Sequence, residues 1–259
     1  MKRISIFLFG LASYVVFLGT FLYVIGFVGN ILVPKSIDSE PAIPFGQALL
    51  IDLALLGVFA VQHSVMARPF FKSWIKQYIP EEAERSTYVL AASLALILLV
   101  TLWQPLGGLV WQVEFPGAVS MIYGLFAMGW LLVLVSTFLI NHFDLFGLRQ
   151  SWYALLGKPY VSLSFRQPWL YAQVRHPLYL GFFIALWATP VMTVTHLVFA
   201  VMASAYIVVG TLLEEHDLKE AHPEYADYAK RVPRYFPRLR KAGDAAASGA
   251  TARAFPEQV

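Results

Sequence analysis

The sequence predicts an all-α integral membrane protein: four transmembrane helices, a C-terminal helical hairpin that brings the membrane segments to five or six, and a cytoplasmic C-terminal segment. Three observations carry this. Hydrophobic residues make up 58% and charged residues 14% of 259, with a mean hydropathy of +0.62, outside the range of a soluble globular domain. Four apolar runs, about 4–28, 46–67, 86–106 and 117–141, supply the roughly 20 residues that cross a hydrocarbon core of about 30 Å. Lysine and arginine concentrate in alternate connections.

The first run, within MKRISIFLFGLASYVVFLGTFLYVIGFVGN, has the basic start of a secretory signal. About 25 apolar residues follow without a small-x-small cleavage site, so it reads as a retained span. The second carries Asp52 near its outer end and His63 near its inner end; the fourth runs into NHFDLFGLRQ. The fifth region differs. At about 1.5 Å per residue, residues 177–190 give about 21 Å of helix before Pro190, and residues 194–213 give about 30 Å. The pair predicts a hairpin with one short arm, turning at TPVMTVTH.

Orientation follows from the basic residues. There are two before the first span, one in 29–45, four in 67–86, none in 104–116, four in 142–176, none in the 190–196 turn and eight after 213. By the positive-inside rule both termini and the two long loops are cytoplasmic. With no cysteine, a disulfide frame, a zinc-thiolate site and a thiol nucleophile are all excluded. The formal charge of +3 gives no indication of nucleic acid as a partner. No repeat at solenoid period is present. The tail, 242–259, is small, polar and expected to be disordered.

The stretch QVRHPLYLGFFIALWATP suggests chemistry. Pro177 suits the first turn of a helix, where its missing N–H would have had no partner, so Arg175 and His176 sit at a helix N-terminus on the cytoplasmic side. Free N–H groups beside an arginine attract a carboxylate or phosphate. The second arm returns to the same side with Glu214 and Glu215, about 9 Å further toward the cytoplasm than His176 by helical rise alone. The expected pocket has a cationic end and an anionic end, with Tyr179 in the first turn and Gly181 letting a ligand approach the backbone; it suits a zwitterionic cofactor. The same residues would also serve as interfacial anchors flanking a span.

RHPLYLG, the EE pair about 33 residues later, and YADYAKRVPRYFPR together resemble the C-terminal half of the isoprenylcysteine carboxyl methyltransferase and phospholipid methyltransferase group. VQHSVMARPFFKSWIKQYIPEEAERSTYVLAASLALILL and NHFDLFGLRQSWYALLGKPY resemble the methanethiol S-methyltransferases, and denitrification-associated membrane proteins over the same segments. The resemblance implies one polytopic methyltransferase domain over 1–241, with its cofactor-binding half about 142–241. It also implies S-adenosylmethionine as cofactor, a small volatile thiol as acceptor, and a multi-pass location in the bacterial inner (cytoplasmic) membrane; no metal is expected, since the spacing of His216 and His222 matches no strong ligand pattern. The family's cofactor motif maps onto Arg175, His176, Pro177, Tyr179, Gly181, Glu214 and Glu215. Arg175 and the helix N-terminus suit the carboxylate, Glu214 or Glu215 the ammonium or ribose hydroxyls, and Tyr179 with Phe182 or Phe183 the sulfonium.

Transfer from a sulfonium is an in-line displacement that needs the acceptor as its thiolate, so a base or a positive neighbourhood is required. His142 and Asp144 would form a carboxylate–imidazole pair only if the chain leaves the helix there, since residues two apart do not face each other. His63 lies at the same side of the membrane and is expected to converge with His142 near the hairpin. Each also reads as a hydrogen-bonded structural histidine. Rival functions are methylation of another small thiol, a lipid or a modified cysteine, and, in a different class, a haem-binding or non-catalytic protein with His63 and His142 as axial ligands.

Overall fold

A computed structural model describes residues 2–163 and 167–237; the predicted tail, 242–259, and the domain boundary at 241 lie outside them. Five helices are long and apolar enough to cross a membrane: α1 (Lys2–Gly29), α2 (Phe45–Ala67), α4 (Glu81–Leu102), α5 (Pro116–Ile140) and α9 (Val194–Ala221). Between α2 and α4 lies the short α3 (Pro69–Ile75), and after α5 come α6 (His142–Leu145) and α7 (Leu148–Leu156). The short arm of the hairpin is α8 (Pro177–Trp187), preceded by a 3₁₀ turn at Trp169–Ala172, and α10 (Tyr225–Arg231) closes the described chain. The protein is an all-α multi-pass membrane protein.

Proline sets several starts. Pro69, Pro116 and Pro177 occupy first-turn positions, where no N–H is missed. α4 begins at Glu81, five residues before the apolar run, because Glu81, Glu82 and Glu84 complement the helix dipole while lying too polar to count as span.

The hairpin turn contains what apolar length does not reveal. β2 (Val191–Thr193) pairs antiparallel with β1 (Leu109–Gln112), in the register Leu109↔Thr193 and Gln112↔Val191. Asp38 fastens this outer end: it accepts from Thr193 Oγ1 and from Asn30 Nδ2 (2.7 Å), and lies 3.5 Å from His196 Nδ1. Below it an aromatic core of Phe27, Trp103, Phe126, Trp130 and Phe199 meets mostly edge to face.

α5 and α8 are the most intimately packed helix pair. A Cβ added to Gly181 would lie 2.7 Å from the Gly129 carbonyl oxygen and 2.9 Å from the Val133 nitrogen. One added to Gly129 would lie 2.8 Å from the Gly181 oxygen and 2.7 Å from the Ala185 nitrogen. The two backbones touch where both side chains are hydrogen, the small-residue contact that membrane helices use in place of a hydrophobic driving force.

Candidate active site

The open end of the hairpin, opposite the β1–β2 turn, is built around one carboxylate. Pro177 starts α8 and leaves His176 as its N-cap, while the Arg175 and His176 N–H groups donate to the carbonyls of Pro233 (2.8 Å) and Arg234 (3.0 Å). The segment after α10 is thereby laid along residues 175–176. From α9, Glu215 accepts from Arg175 Nε (2.9 Å), His176 Nε2 (3.0 Å), and Arg234 Nη2 (2.8 Å) and Nε (3.1 Å). The Glu215 side chain is only 4% exposed, so the two guanidiniums and the imidazole replace the water a buried carboxylate would otherwise lack. Hydrogen bonding to Glu215 holds the Arg234 guanidinium above its ordinary value.

This overturns the expected geometry. Arg175 and Glu215 bond each other instead of standing at separate ends of a pocket, and Arg175 Nη1 is also engaged by the carbonyls of Ala229 (2.7 Å) and Val232. Nor do the acids lie about 9 Å beyond His176. Residues 188–193, non-helical and about 3.3 Å long each when extended, are long enough to offset the shortness of α8.

Glu214 is different. Its side chain is 44% exposed, accepts from the Tyr179 hydroxyl (2.8 Å) and lies 3.9 Å from His176 Nδ1. The His176 ring stacks on Tyr179 at 5.3 Å and tilts toward Tyr235 at 6.2 Å; Tyr235 meets Phe183 edge-on at 5.2 Å. The Tyr235 hydroxyl is buried without a hydrogen-bond partner among the described residues. A half-open carboxylate beside aromatic faces and an unsatisfied hydroxyl fits a cationic, hydroxyl-bearing group. Gly181 lies at the close crossing with α5.

Burial, which outweighs the adjacent Glu214 and Glu215, holds His176 below its ordinary value. In the unfolded chain its ring protonates below about pH 6.5, whereas in the fold it stays neutral further down. The unfolded state therefore binds more protons in that window, and stability falls as pH drops through it. Thermal midpoints in detergent are expected to fall between about pH 7 and about pH 5.5, and to fall less in His176→Gln.

The two acceptor histidines part company. His142 lies in a cage of α1 and α5, with Nε2 bonded to the Tyr14 hydroxyl (2.8 Å), Nδ1 to Thr137 Oγ1 (2.8 Å), and the Phe138 ring stacked at 4.3 Å. Burial holds it below its ordinary value. Asp144 turns away on the single turn of α6 to bind Arg149 Nη1 and the Tyr160 hydroxyl, each at 2.9 Å, so the His142–Asp144 pair does not form. With both its ring nitrogens taken, His142 has none to offer a haem iron. His63 lies instead among α2, α4 and α9: the Tyr88 hydroxyl is 2.8 Å from Nε2 and 3.1 Å from Nδ1, Phe59 stacks at 5.2 Å, and Tyr206 approaches edge-on at 6.4 Å. Among the described residues no hydrogen bond or ring contact joins His63 to His142. Arg234 and Tyr235 stand within the RVPRYFP run without having been singled out, and Tyr88 and Tyr206 gave no local signal.

No protein-family model matches this chain, and no solved structure does. The Methanethiol S-methyltransferase of Mycobacterium tuberculosis is 50% identical over 238 residues, 92% of this chain and 98% of that protein. That of Crocosphaera subtropica is 50% identical over 242 residues, 93% and 95% of the two chains. Nurim of Bos taurus is more distant, 30% identical over 179 residues, 66% of this chain and 68% of Nurim. Half identity over nearly the full length of both chains includes the hairpin and the elements that hold it, and this chain belongs to the methanethiol S-methyltransferase family.

Proposed function

We propose that this protein transfers a methyl group from S-adenosylmethionine to methanethiol, releasing dimethyl sulfide. The observation that carries the reading is the division of labour between the adjacent acids: Glu215 is consumed by two guanidiniums and an imidazole, while Glu214 keeps an accessible carboxylate beside aromatic rings. Glu214 would take the cofactor's ammonium or ribose hydroxyls, and the rings of Tyr179, Phe183 and Tyr235 would line its sulfonium by cation–π attraction. Arg234, 35% exposed, is better placed than the fully engaged Arg175 to meet the carboxylate. Pro177 sets the first turn of α8, and His176 positions the Tyr179 ring by stacking. When bound, the sulfonium supplies an electrophilic methyl and a neutral sulfide leaving group. The lysine and arginine distribution supports placing this end, and both termini, on the cytoplasmic side of a bacterial inner membrane.

The test is headspace detection of dimethyl sulfide from cells that express the chain and are fed methanethiol. Wild type is expected to release it above the empty-vector level. Glu214→Gln removes one charge-assisted contact of about 1.5–3 kcal/mol, so purified variant should need about 10–100-fold more cofactor for half-saturation. No volatile product from the wild type would end the proposal.

A further inference from the structure

His63 on α2 and Tyr88 on α4 form a hydrogen-bonded pair within the membrane. The pair is connected to the Glu214 cluster through α9: Tyr206, packed on His63, lies eight residues, about 12 Å by helical rise, before Glu214 on the same helix. Tyr206 is itself bonded to Ser64 (3.1 Å) and packs edge-on to Phe59 and His63. The Arg85 guanidinium lies 5.1 Å over the Tyr88 ring and is held there by the Leu145 carbonyl (2.7 Å). Rings from three helices thus enclose a hydroxyl and an imidazole, with one fixed positive charge beside them.

Resting on the transfer proposed above, we propose that the Tyr88 hydroxyl is a catalytic residue that takes the proton of a small thiol and passes its own to His63. As the thiol S–H bond breaks, its proton goes to the Tyr88 oxygen and the Tyr88 proton goes to a His63 ring nitrogen. The electron pair left on sulfur forms the new S–CH₃ bond while the bond from methyl to the donor sulfur breaks. The products are the dialkyl sulfide, neutral S-adenosylhomocysteine and an imidazolium that returns its proton to water. Arg85 favours the anion at the stage when sulfur carries charge and disfavours a lasting imidazolium, so the proton is passed on to water. Phe59 and Tyr206 flank the same imidazole with their aromatic rings.

Methaneselenol separates proton removal from every other role, because a selenol is already ionised at neutral pH. Purified Tyr88→Phe, assayed with saturating S-adenosylmethionine, is expected to lose about 100-fold in kcat/KM with methanethiol, the scale of general-base catalysis. The same variant should methylate methaneselenol at nearly the wild-type rate. His63→Gln provides the second reading, with the same pattern expected. Equal losses on both acceptors would overturn the proposal, since they would place the pair in folding or cofactor binding. Undiminished methanethiol turnover in both variants would overturn it too. Failure of the parent reading is distinct: wild-type enzyme would then form no dimethyl sulfide in the control reaction.

Discussion

Replacing Glu215 by alanine is expected to lower the yield of folded protein sharply and to drop the thermal midpoint of what remains, whereas Glu214→Ala should melt like wild type. Removing Glu215 leaves Arg175, with a side chain 9% exposed, and His176 without their shared acceptor, and it frees Arg234. Breaking one side of a buried ion pair costs about 3–5 kcal/mol, a large share of a total stability of about 5–15 kcal/mol. The loss is also structural. The same three side chains tie α9 to the start of α8 and to the segment after α10, so the surface that carries Glu214 and Tyr179 would lose its frame. Glu215→Gln keeps an acceptor but not the charge and should fall between the two. Activity would fall in all three variants, so size-exclusion profiles and melting curves in detergent are the measurements that separate them. A wild-type melting curve for Glu215→Ala would show that the cluster does not hold the hairpin together.

The spans were legible because apolar length and charge alternation belong to contiguous sequence, and Pro177 and Pro190 marked the short arm in the same way. What α9 does with Glu214 and Glu215 was not. Adjacent helical residues point about 100° apart, so one faces the protein and the other opens outward, and only the rotation of α9 against α8 decides which. Arg234 reaches Glu215 because α10 folds back, a tertiary event with no periodic signature. The convergence of His63 and His142 was inferred from both lying near the same membrane face. Packed helices stand about 8–10 Å apart, however, so sharing a face does not make residues on non-neighbouring helices meet. The β1–β2 pair escaped notice because three or four residues are too few for an alternating pattern to register.

Gly181→Ala is expected to destabilise the protein, and Gly181→Leu to do so severely, by wedging α8 from α5. The atoms in the way are backbone, the Gly129 oxygen at 2.7 Å and the Val133 nitrogen at 2.9 Å, so no side-chain rotation can make room. Overpacking of this kind costs about 1–3 kcal/mol for a small addition, and here the strain falls on the helix whose first turn presents His176 and Tyr179. Gly129→Ala should have the same effect from the other side. The double variant should be less damaging than the two losses added, because helices already separated by one methyl accommodate the second more easily. A glycine kept for ligand approach would behave otherwise: Gly181→Ala would leave the melting curve unchanged and raise only the S-adenosylmethionine concentration needed for half-saturation. Melting curves of the two single variants and the double, read beside their cofactor dependence, decide between a helix crossing and a ligand seat.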